Sequence, residues 1–373
     1  MRIAVNTRLL LPHRLEGIGR FKHEVLQRLV ERHPEHEFIF LFDRPYDDSF
    51  LYGPQVKAVV VPPPSRHPIL WYLWFEWAVP MVLARYKPDV FLSMDGYCSL
   101  RSSVPTVMVT HDIAHVHYPL QIPKLVRWYY QYFVPRYLNR ADNVVTVSNF
   151  CREDISNHYG IPRNKIRVAG NAAHPRFIPL DGEEQTKVRQ QYADGQEYFF
   201  YLGALHPRKN IVRLLKAFDL FKSRSAASTK LLIGGRFAWQ NSDIKAAYDQ
   251  SAFQNDIHFL GYVSDEELPR ITASALALTY VSLFEGFGVP IIEAMQAGVP
   301  VMTSSVSSMP EVAGNAALLV DPKKVDEIAE GLQRLAEDAA LRTELSSKGL
   351  RRAATYTWEH TADVIEQVIK DLV

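Results

Sequence analysis

The sequence predicts an α/β chain built as two doubly wound, Rossmann-like domains. Three observations carry that expectation. Short apolar runs alternate with helical patterns along the chain, as parallel strands joined by crossover helices do. At 373 residues there is enough chain for two cores of ordinary size. Pro175 and Pro179 bracket a strand-poor stretch near the middle, where a linker fits. No internal repeat or low-complexity stretch interrupts the alternation.

Residues 2–7 read as the first strand. Gly17-Ile18-Gly19 then opens a helix whose apolar positions Phe21, Val25, Leu26, Leu29 and Val30 recur at helical spacing. Strand, glycine loop and helix is the order of a nucleotide-binding half-domain, although a Gly-x-Gly alone is more often a turn. Residues 38–42 and 56–61 are further strands, followed by Pro62-Pro63-Pro64. Residues 69–86 carry Trp71, Trp74 and Trp77 at helical spacing. Glu76 and Pro80 interrupt that stretch, so it is an amphipathic or buried helix, with core packing the default for its tryptophans.

Residues 89–93 and 105–110 are apolar strands, and the second ends at His111-Asp112. Open α/β sheets place ligands at such strand ends. Residues 113–141 contain no Asp or Glu, yet carry Lys124, Arg127, Arg136 and Arg140 among Trp128, Tyr129, Tyr130, Tyr132, Phe133 and Tyr137. Residues 144–148 are a strand, a helix starts at Asn149, and 165–169 is the last strand of this half.

The second half opens with a strand at 198–202, then Gly203-Ala-Leu-His-Pro-Arg208-Lys209-Asn210, then a helix from 211 to about 222. Residues 230–234 form a strand ending at Gly235-Arg236, and 257–260 another followed by Gly261-Tyr262-Val263. A buried strand at 276–282 leads into Glu285-Gly-Phe-Gly288-Val289-Pro290-Ile-Ile-Glu293. Pro290 suits the first position of a helix and Gly298 its C-terminal cap. Gly286 and Gly288 let this loop turn tightly and bring backbone N–H groups near a ligand. A helix N-terminus there favours anions. Two acids beside such a cradle make sense as acceptors for neutral hydroxyls, so a ligand with both phosphate and sugar hydroxyls fits. Residues 299–303 are a strand; 326–335, a segment to 355, and 358–372 are helical. The last helix is expected to bury Val364, Ile365, Val368 and Leu372. Arg208-Lys209 could neutralise a diphosphate, with Arg binding bidentately and Lys as a mobile point charge, or be a solvated surface pair.

The string Phe284-Glu-Gly-Phe-Gly288, with Pro290, Glu293 and Ala297-Gly-Val-Pro-Val301, resembles the retaining nucleotide-sugar glycosyltransferases of family 4. The resemblance covers nearly the whole chain. It implies the GT-B architecture, two facing Rossmann-like domains with the C-terminal helix returning to the first. Residues 1–174 with 357–373 would form the N-terminal, acceptor-side domain, and 175–356 the donor-binding domain. A hinge near 173–180 and a second crossing near Tyr356 would let the cleft close.

By the same resemblance, Glu285 accepts hydroxyls of the donor sugar and Glu293 those of the ribose. Amides of Phe287, Gly288 and Val289 meet sugar or phosphate oxygens. Gly17 and Gly19 lie against the donor diphosphate. His111 stands near the anomeric carbon, with a hydrogen-bonded structural histidine as the other reading. Asp112, Gly203, Tyr262 and Val263 complete the substrate contacts. Arg208-Lys209 matches the family's basic donor motif, except that many relatives have Gly-Arg where this chain has Gly203-Ala204. Arg208 would then supply the second positive charge.

The implied reaction is retention by same-face attack, the leaving diphosphate helping to deprotonate the acceptor. Glu16-Gly-Ile-Gly-Arg-Phe21 and Pro207-Arg-Lys-Asn210 look most like the mannosyltransferase branch. GDP-mannose is the first expectation for the donor and UDP-glucose the runner-up, with a glycan or lipid-linked acceptor. The alternatives are a catalytically silent sugar-nucleotide binding subunit and another GT-B enzyme, an epimerase or a phosphorylase with lysine-bound pyridoxal.

No metal and no cofactor are expected. The chain has no Asp-x-Asp and no His/Cys cluster, and two cations with two backbone loops could handle a diphosphate. Gly17-Ile-Gly-Arg-Phe-Lys22 lacks the third glycine of a dinucleotide fingerprint, and neither a Gly-x-Ser-x-Gly elbow nor a P-loop occurs. A formal charge of +1 argues against nucleic acid. Cys98 and Cys151, without a partner motif, favour a reducing cytosol, and no leader is expected before the first strand. The acid-free stretch 113–141 is either a solvated helix face or a seat on an anionic membrane. Basic groups beside Trp and Tyr lean towards peripheral attachment at the cytoplasmic, inner-leaflet face.

Overall fold

The computed structural model describes residues 1–12, 15, 17–235 and 242–373. Glu16 of the front motif and Arg236 after the strand at 230–234 lie outside the described residues. The chain divides into two compact units, Met1–Asn171 with Trp358–Val373, and Ala172–Thr357. The sequence places these crossings after residue 174 and before residue 357.

Seven strands build the sheet of the first unit: β1 Arg2–Asn6, β2 Glu37–Phe42, β3 Val56–Val60, β4 Val90–Ser93, β5 Thr106–Val109, β6 Asn143–Thr146 and β7 Ile166–Val168. Their order is β3-β2-β1-β4-β5-β6-β7. Every residue of β4 and β5 is buried, as parallel strands covered on both faces require. β1 pairs in parallel with both β2 and β4, Ala4 facing Ile39 on one side and Phe91 on the other. The strand order reverses at β1 and β4, and such a reversal opens a crevice at the carboxyl ends of the two strands.

The helix Ile18–Arg32 buries Phe21, Val25, Leu26, Leu29 and Val30, the periodic apolar positions of its sequence. Residues 68–86 form one rod, Pro68–Leu73 and Val79–Tyr86 joined by a π-helical turn at Trp74–Ala78. Trp74 is fully buried and donates its indole N–H to the carbonyl of Val61 at 2.8 Å; Trp71, half-buried, donates to Ser65 at 2.9 Å. Trp77 departs from the core default, since it is 48% exposed with the Arg101 guanidinium 3.9 Å from its ring centre.

The closing helix Trp358–Lys370 belongs to the first unit. It packs on Ile18–Arg32 through Trp358 and Phe21, edge to face at 5.9 Å, and through the pairs Arg28–Glu359 and Arg32–Asp363 at 2.9 and 2.6 Å. Its buried face is Trp358, Thr361, Ala362, Ile365, Val368 and Ile369. Val364 and Leu372, assigned to that face from sequence, are only half-buried. Successive residues turn about 100° around a helix, so Val364 cannot share the centre of the face with Ile365.

The second unit carries six parallel strands, β8 Tyr198–Leu202, β9 Lys230–Gly234, β10 Ile257–Gly261, β11 Ala277–Tyr280, β12 Val301–Ser304 and β13 Leu318–Val320, in the order β10-β9-β8-β11-β12-β13. The order reverses at β8 and β11. Several elements escape the sequence reading, among them the short helices Ser242–Asp249, Glu267–Ala273 and Met309–Ala313. β13 is three residues long, and the helix Gly182–Ala193 buries only Val188 and Ala193, too little for an apolar period.

Candidate active site

In the second unit, β8 runs through Gly203 into a tight turn at Pro207–Lys209, and β11 runs through Ser282 into the loop ending at Gly288. Because β8 and β11 are neighbours, the basic turn and the acidic loop leave the sheet side by side. The amide of Leu283 donates to the carbonyl of Arg208 at 2.8 Å and joins them.

Glu285 lies buried between them, 6% exposed. Its Oε1 accepts from the Lys209 ammonium and from the Tyr280 hydroxyl, the latter at 2.8 Å. Its Oε2 accepts from Arg208 Nη1 at 3.2 Å. Lys209 Nζ also donates to Tyr280 Oη at 3.0 Å, and Arg208 Nη1 to the carbonyl of Phe284 at 3.0 Å. Burial pushes the Glu285 carboxyl up, but Lys209 and then Arg208 outweigh it and hold the group below its ordinary value. Glu285 is therefore an anion at neutral pH. With Lys209 only 8% exposed, Arg208-Lys209 is not a solvated surface pair.

Ser307 and Ser308 pin the acidic loop. The Glu285 amide donates to Ser307 Oγ at 2.9 Å, and Ser308 Oγ donates to the carbonyls of Glu285 and Phe287 at 2.9 and 3.1 Å. Gly288, with φ +96°, caps the helix Val289–Gln296, which starts one residue before Pro290. Glu293 sits on that helix, 8% exposed, and Phe287 packs edge-on against Tyr356 at 5.3 Å. Gly298, with φ +73°, follows the helix as its sequence position implies.

The carboxyl ends of β8, β9 and β10 are lined by Gly203, Gly235 and Gly261. The Gly203 amide donates to the carbonyl of Gly234 at 3.0 Å, and that of Gly235 to Gly261 at 2.8 Å. Beyond Gly261, Tyr262 is 52% exposed. Val263 is buried, and a Cβ on Gly234 would lie 3.3 Å from its methyl, so Val263 packs under β9.

The remaining sequence-derived residues, Gly17, Gly19, His111 and Asp112, belong to the first unit. Gly17 takes φ +47° before Ile18–Arg32. A Cβ on Gly19 would lie 2.8 Å from the Leu9 carbonyl, so the close approach demanding glycine there comes from the chain itself. His111 Nε2 donates to the carbonyl of Met94 at 3.2 Å, and its ring meets Phe21 edge-on at 4.8 Å. Burial pushes its pKa down, so the neutral imidazole carries its proton on Nε2 and leaves Nδ1 an acceptor. Asp112 Oδ1 accepts from the amide of Ala114 at 2.9 Å, a local cap.

Sequence reasoning missed a buried polar network at the ends of β1 and β4. Asp95 Oδ2 accepts from Arg8 Nε at 2.6 Å and Lys22 Nζ at 3.2 Å, and its Oδ1 from Asn6 at 2.8 Å. The Arg8 guanidinium lies 4.2 Å from the Tyr97 ring centre. Polar residues directly after the apolar runs of β1 and β4 were the available signal. Tyr280 was missed too, because a tyrosine inside an apolar strand reads as core. Among the described residues, one group, His33, Glu35 and His36, is close enough to hold an ion. The two imidazoles stack within 9° of parallel at 4.8 Å, so lone pairs in their ring planes do not meet at one point.

Residues 183–352 match the model of the glycosyl transferases group 1, and residues 15–176 that of glycosyltransferase family 4. The O-antigen chain mannosyltransferase B of Escherichia coli is 31% identical over 93% of this chain and 93% of its own length. The O-antigen chain mannosyltransferase RfbU of Salmonella typhimurium is 28% identical over 68% of this chain and 67% of its own. Among solved structures, Anabaena HepE in complex with UDP-glucose superposes with a TM-score of 0.78 at 17% identity, covering 100% of both chains.

Proposed function

We propose, from the premise that this chain belongs to the family 4 glycosyltransferases and has their two-domain GT-B fold, that it moves a hexose from a nucleotide sugar with retention and without a metal. The observation that carries the reading is the buried Lys209–Glu285–Arg208 cluster where β8 and β11 part. A donor diphosphate arriving there exchanges the carboxylate for phosphate oxygens as the partner of both cations. Glu285 then accepts a sugar hydroxyl, and Glu293 the ribose hydroxyls. The acceptor hydroxyl attacks the anomeric carbon on the face the diphosphate leaves. The sugar–diphosphate bond breaks as the new C–O bond forms, and the hydroxyl proton passes to the departing diphosphate. Arg208 and Lys209 stabilise the charge that grows on that leaving group. His111 Nδ1, Gly17 and Gly19 are assigned to the donor sugar and diphosphate from the first unit.

Mannose, as GDP-mannose, is the first donor, because the relatives at 31 and 28% identity are named mannosyltransferases. UDP-glucose is the runner-up. A thermal-shift panel of GDP, UDP, ADP and TDP sugars tests this: a ligand at 100 times its dissociation constant stabilises the fold by about 2.7 kcal/mol. GDP-mannose is expected to lead the panel and to support transfer. Binding without turnover would instead identify a silent sugar-nucleotide subunit.

A lipid-linked acceptor is favoured by one surface of the first unit. Ile69, Leu73, Trp77 and Met81 are exposed at four-residue spacing along the rod 68–86, and Trp128 and Tyr132 are exposed on the helix Lys124–Arg140 beside it. The rod and the helix touch through Trp71–Tyr129 and Tyr72–Phe133, at 5.3 and 5.9 Å. Arg66, Arg85, Lys124 and Arg136 are exposed around them, while Glu76, the one acid of residues 66–86, is buried. Among the described residues no helix is long and apolar enough to cross a membrane. Peripheral docking on an anionic leaflet is the matching mode. Co-sedimentation with vesicles containing anionic lipid, lost in Trp77→Glu/Met81→Glu, is the expected result; equal sedimentation of both proteins would remove it.

A further inference from the structure

Glu285 and the two cations that hold it are asked, in the reading above, to change partners when a diphosphate arrives. Something else must then hold the carboxylate in place. Tyr280 is placed for that task. Tyr280 is the last residue of β11, 2% exposed, and its hydroxyl accepts from Lys209 Nζ at 3.0 Å while donating to Glu285 Oε1 at 2.8 Å. Its ring is nearly parallel to that of Tyr201 on the adjacent strand β8, at 15° and 6.1 Å, and the side chain is buried at the strand's end.

We infer that Tyr280 is a positioning residue for Glu285, a fixed neutral donor that keeps Oε1 engaged and leaves Oε2 to face the sugar. The lone-pair count supports the division. A carboxylate offers about four acceptor positions. Lys209 and Tyr280 take the two on Oε1, and Arg208 takes one on Oε2. Once Arg208 turns to phosphate, Oε2 is the oxygen with room for hydroxyls. Without Tyr280, loss of both cations would free the carboxylate to rotate about its side-chain torsions, and the sugar would meet a mobile acceptor. The role rests on the donor reading proposed for this site.

Tyr201 supplies an internal control. It is the same phenol, fully buried in the same stack, yet its hydroxyl has no hydrogen-bond partner among the described residues. Removing that hydroxyl takes away no contact to Glu285.

The test is a mutant cycle on transfer at saturating donor, with binding of the nucleoside diphosphate alone measured by calorimetry. Tyr280→Phe keeps the ring and is expected to lower kcat roughly tenfold or more, the scale of one hydrogen bond to a charged group. Its affinity for the nucleoside diphosphate should stay at the wild-type value. Glu285→Gln is expected to lose more, and the double variant Tyr280→Phe/Glu285→Gln no more than Glu285→Gln alone, because Tyr280 acts through that carboxylate. Tyr201→Phe should transfer at the wild-type rate, which excludes disturbance of the stack as the cause. A wild-type kcat in Tyr280→Phe, penalties that multiply in the double variant, or an equal loss in Tyr201→Phe would each overturn the role. A wild-type protein that binds no nucleoside diphosphate and transfers no sugar fails differently, removing the donor reading and this role with it.

Discussion

A Cβ on Gly235 would lie 2.0 Å from the carbonyl oxygen of Gly203. The obstacle is backbone, and Gly235 also takes φ +148°, so neither rotamer change nor side-chain movement relieves it. The loop carrying the basic turn is therefore seated against the end of β9 by two glycines.

Gly235→Ala should lower stability by about 1–3 kcal/mol, the usual scale for backbone strain, read by chemical denaturation. Gly261→Ala is the comparison, since its φ is +67° with nothing within 4 Å of the added carbon. That variant should lose only about 1–2 kcal/mol. Equal penalties would show that the Gly203–Gly235 contact yields.

Arg208→Ala and Lys209→Ala should both slow transfer about a hundredfold or more, the scale of one lost charge-stabilising contact, roughly 2.7–4 kcal/mol. They should differ in stability. Lys209→Ala leaves the buried Glu285 with Arg208 and Tyr280 only, and breaking such a pair typically costs about 3–5 kcal/mol. Adding Glu285→Gln to Lys209→Ala should restore much of the stability and none of the transfer. Normal turnover in both single variants at saturating donor would detach the pair from the reaction. Wild-type transfer is also expected to persist in EDTA; loss reversed by Mn²⁺ or Mg²⁺ would contradict the leaving-group account.

The fold was legible because its strands are apolar runs and its helices periodic, from Phe21 to Val30 and from β8 to β12. The acidic loop was legible because glycine, proline and glutamate stand there at fixed offsets. What stayed hidden depends on distance across the sheet. Lys209 and Glu285 are 76 residues apart, so their pairing follows only once β8 and β11 are neighbours. Tyr280 and Asp95 gain meaning from partners that no local pattern displays. Trp77 is exposed because it lies on the same face as Ile69, Leu73 and Met81, four residues apart along the rod, whereas Trp74 lies on the buried one.

Asp95 gives the first unit an acid-sensitive bond. Burial pushes its carboxyl up, but Arg8 and Lys22 more than offset this and hold it at about 2 instead of 3.8. A depressed carboxyl contributes stability that is complete above pH 4 and is lost as pH falls towards 2, here on the order of 2 kcal/mol. Lys22, lowered by burial to about 8 from 10.5, acts in the alkaline range. There the unfolded chain binds the additional proton, so this group makes stability rise between those two values. Denaturation of wild type and Asp95→Asn from pH 2 to 6 should show a shallower acid slope in the variant. Parallel slopes would mean that Asp95 titrates alike in both states.

The last prediction follows a line of rings through the first unit. Trp358 meets Phe21 at 5.9 Å, and Phe21 meets His111 at 4.8 Å, each edge to face. The closing helix thus supports the histidine through one aromatic side chain on Ile18–Arg32. Ending the chain after Thr357 removes Trp358, Ile365, Val368 and Ile369 from that helix, together with the pairs to Arg28 and Arg32. Each large apolar side chain is worth about 1.5–3 kcal/mol when buried, so the loss approaches the whole stability of an ordinary domain. The first unit of the truncated chain should lose its cooperative unfolding transition. Nucleoside diphosphate binding should weaken but persist, because the contacts assigned to Gly17 and Gly19 are lost while Arg208, Lys209, Glu285 and Glu293 all belong to Ala172–Thr357. Trp358→Ala is the milder form, expected to cost about 3–5 kcal/mol and to slow transfer while calorimetry with the nucleoside diphosphate stays unchanged. If the Trp358→Ala protein melts and transfers as wild type does, the ring contacts carry nothing to His111; if it loses diphosphate binding instead, the damage has reached the groups that hold the diphosphate and is not confined to the line through Phe21 to His111.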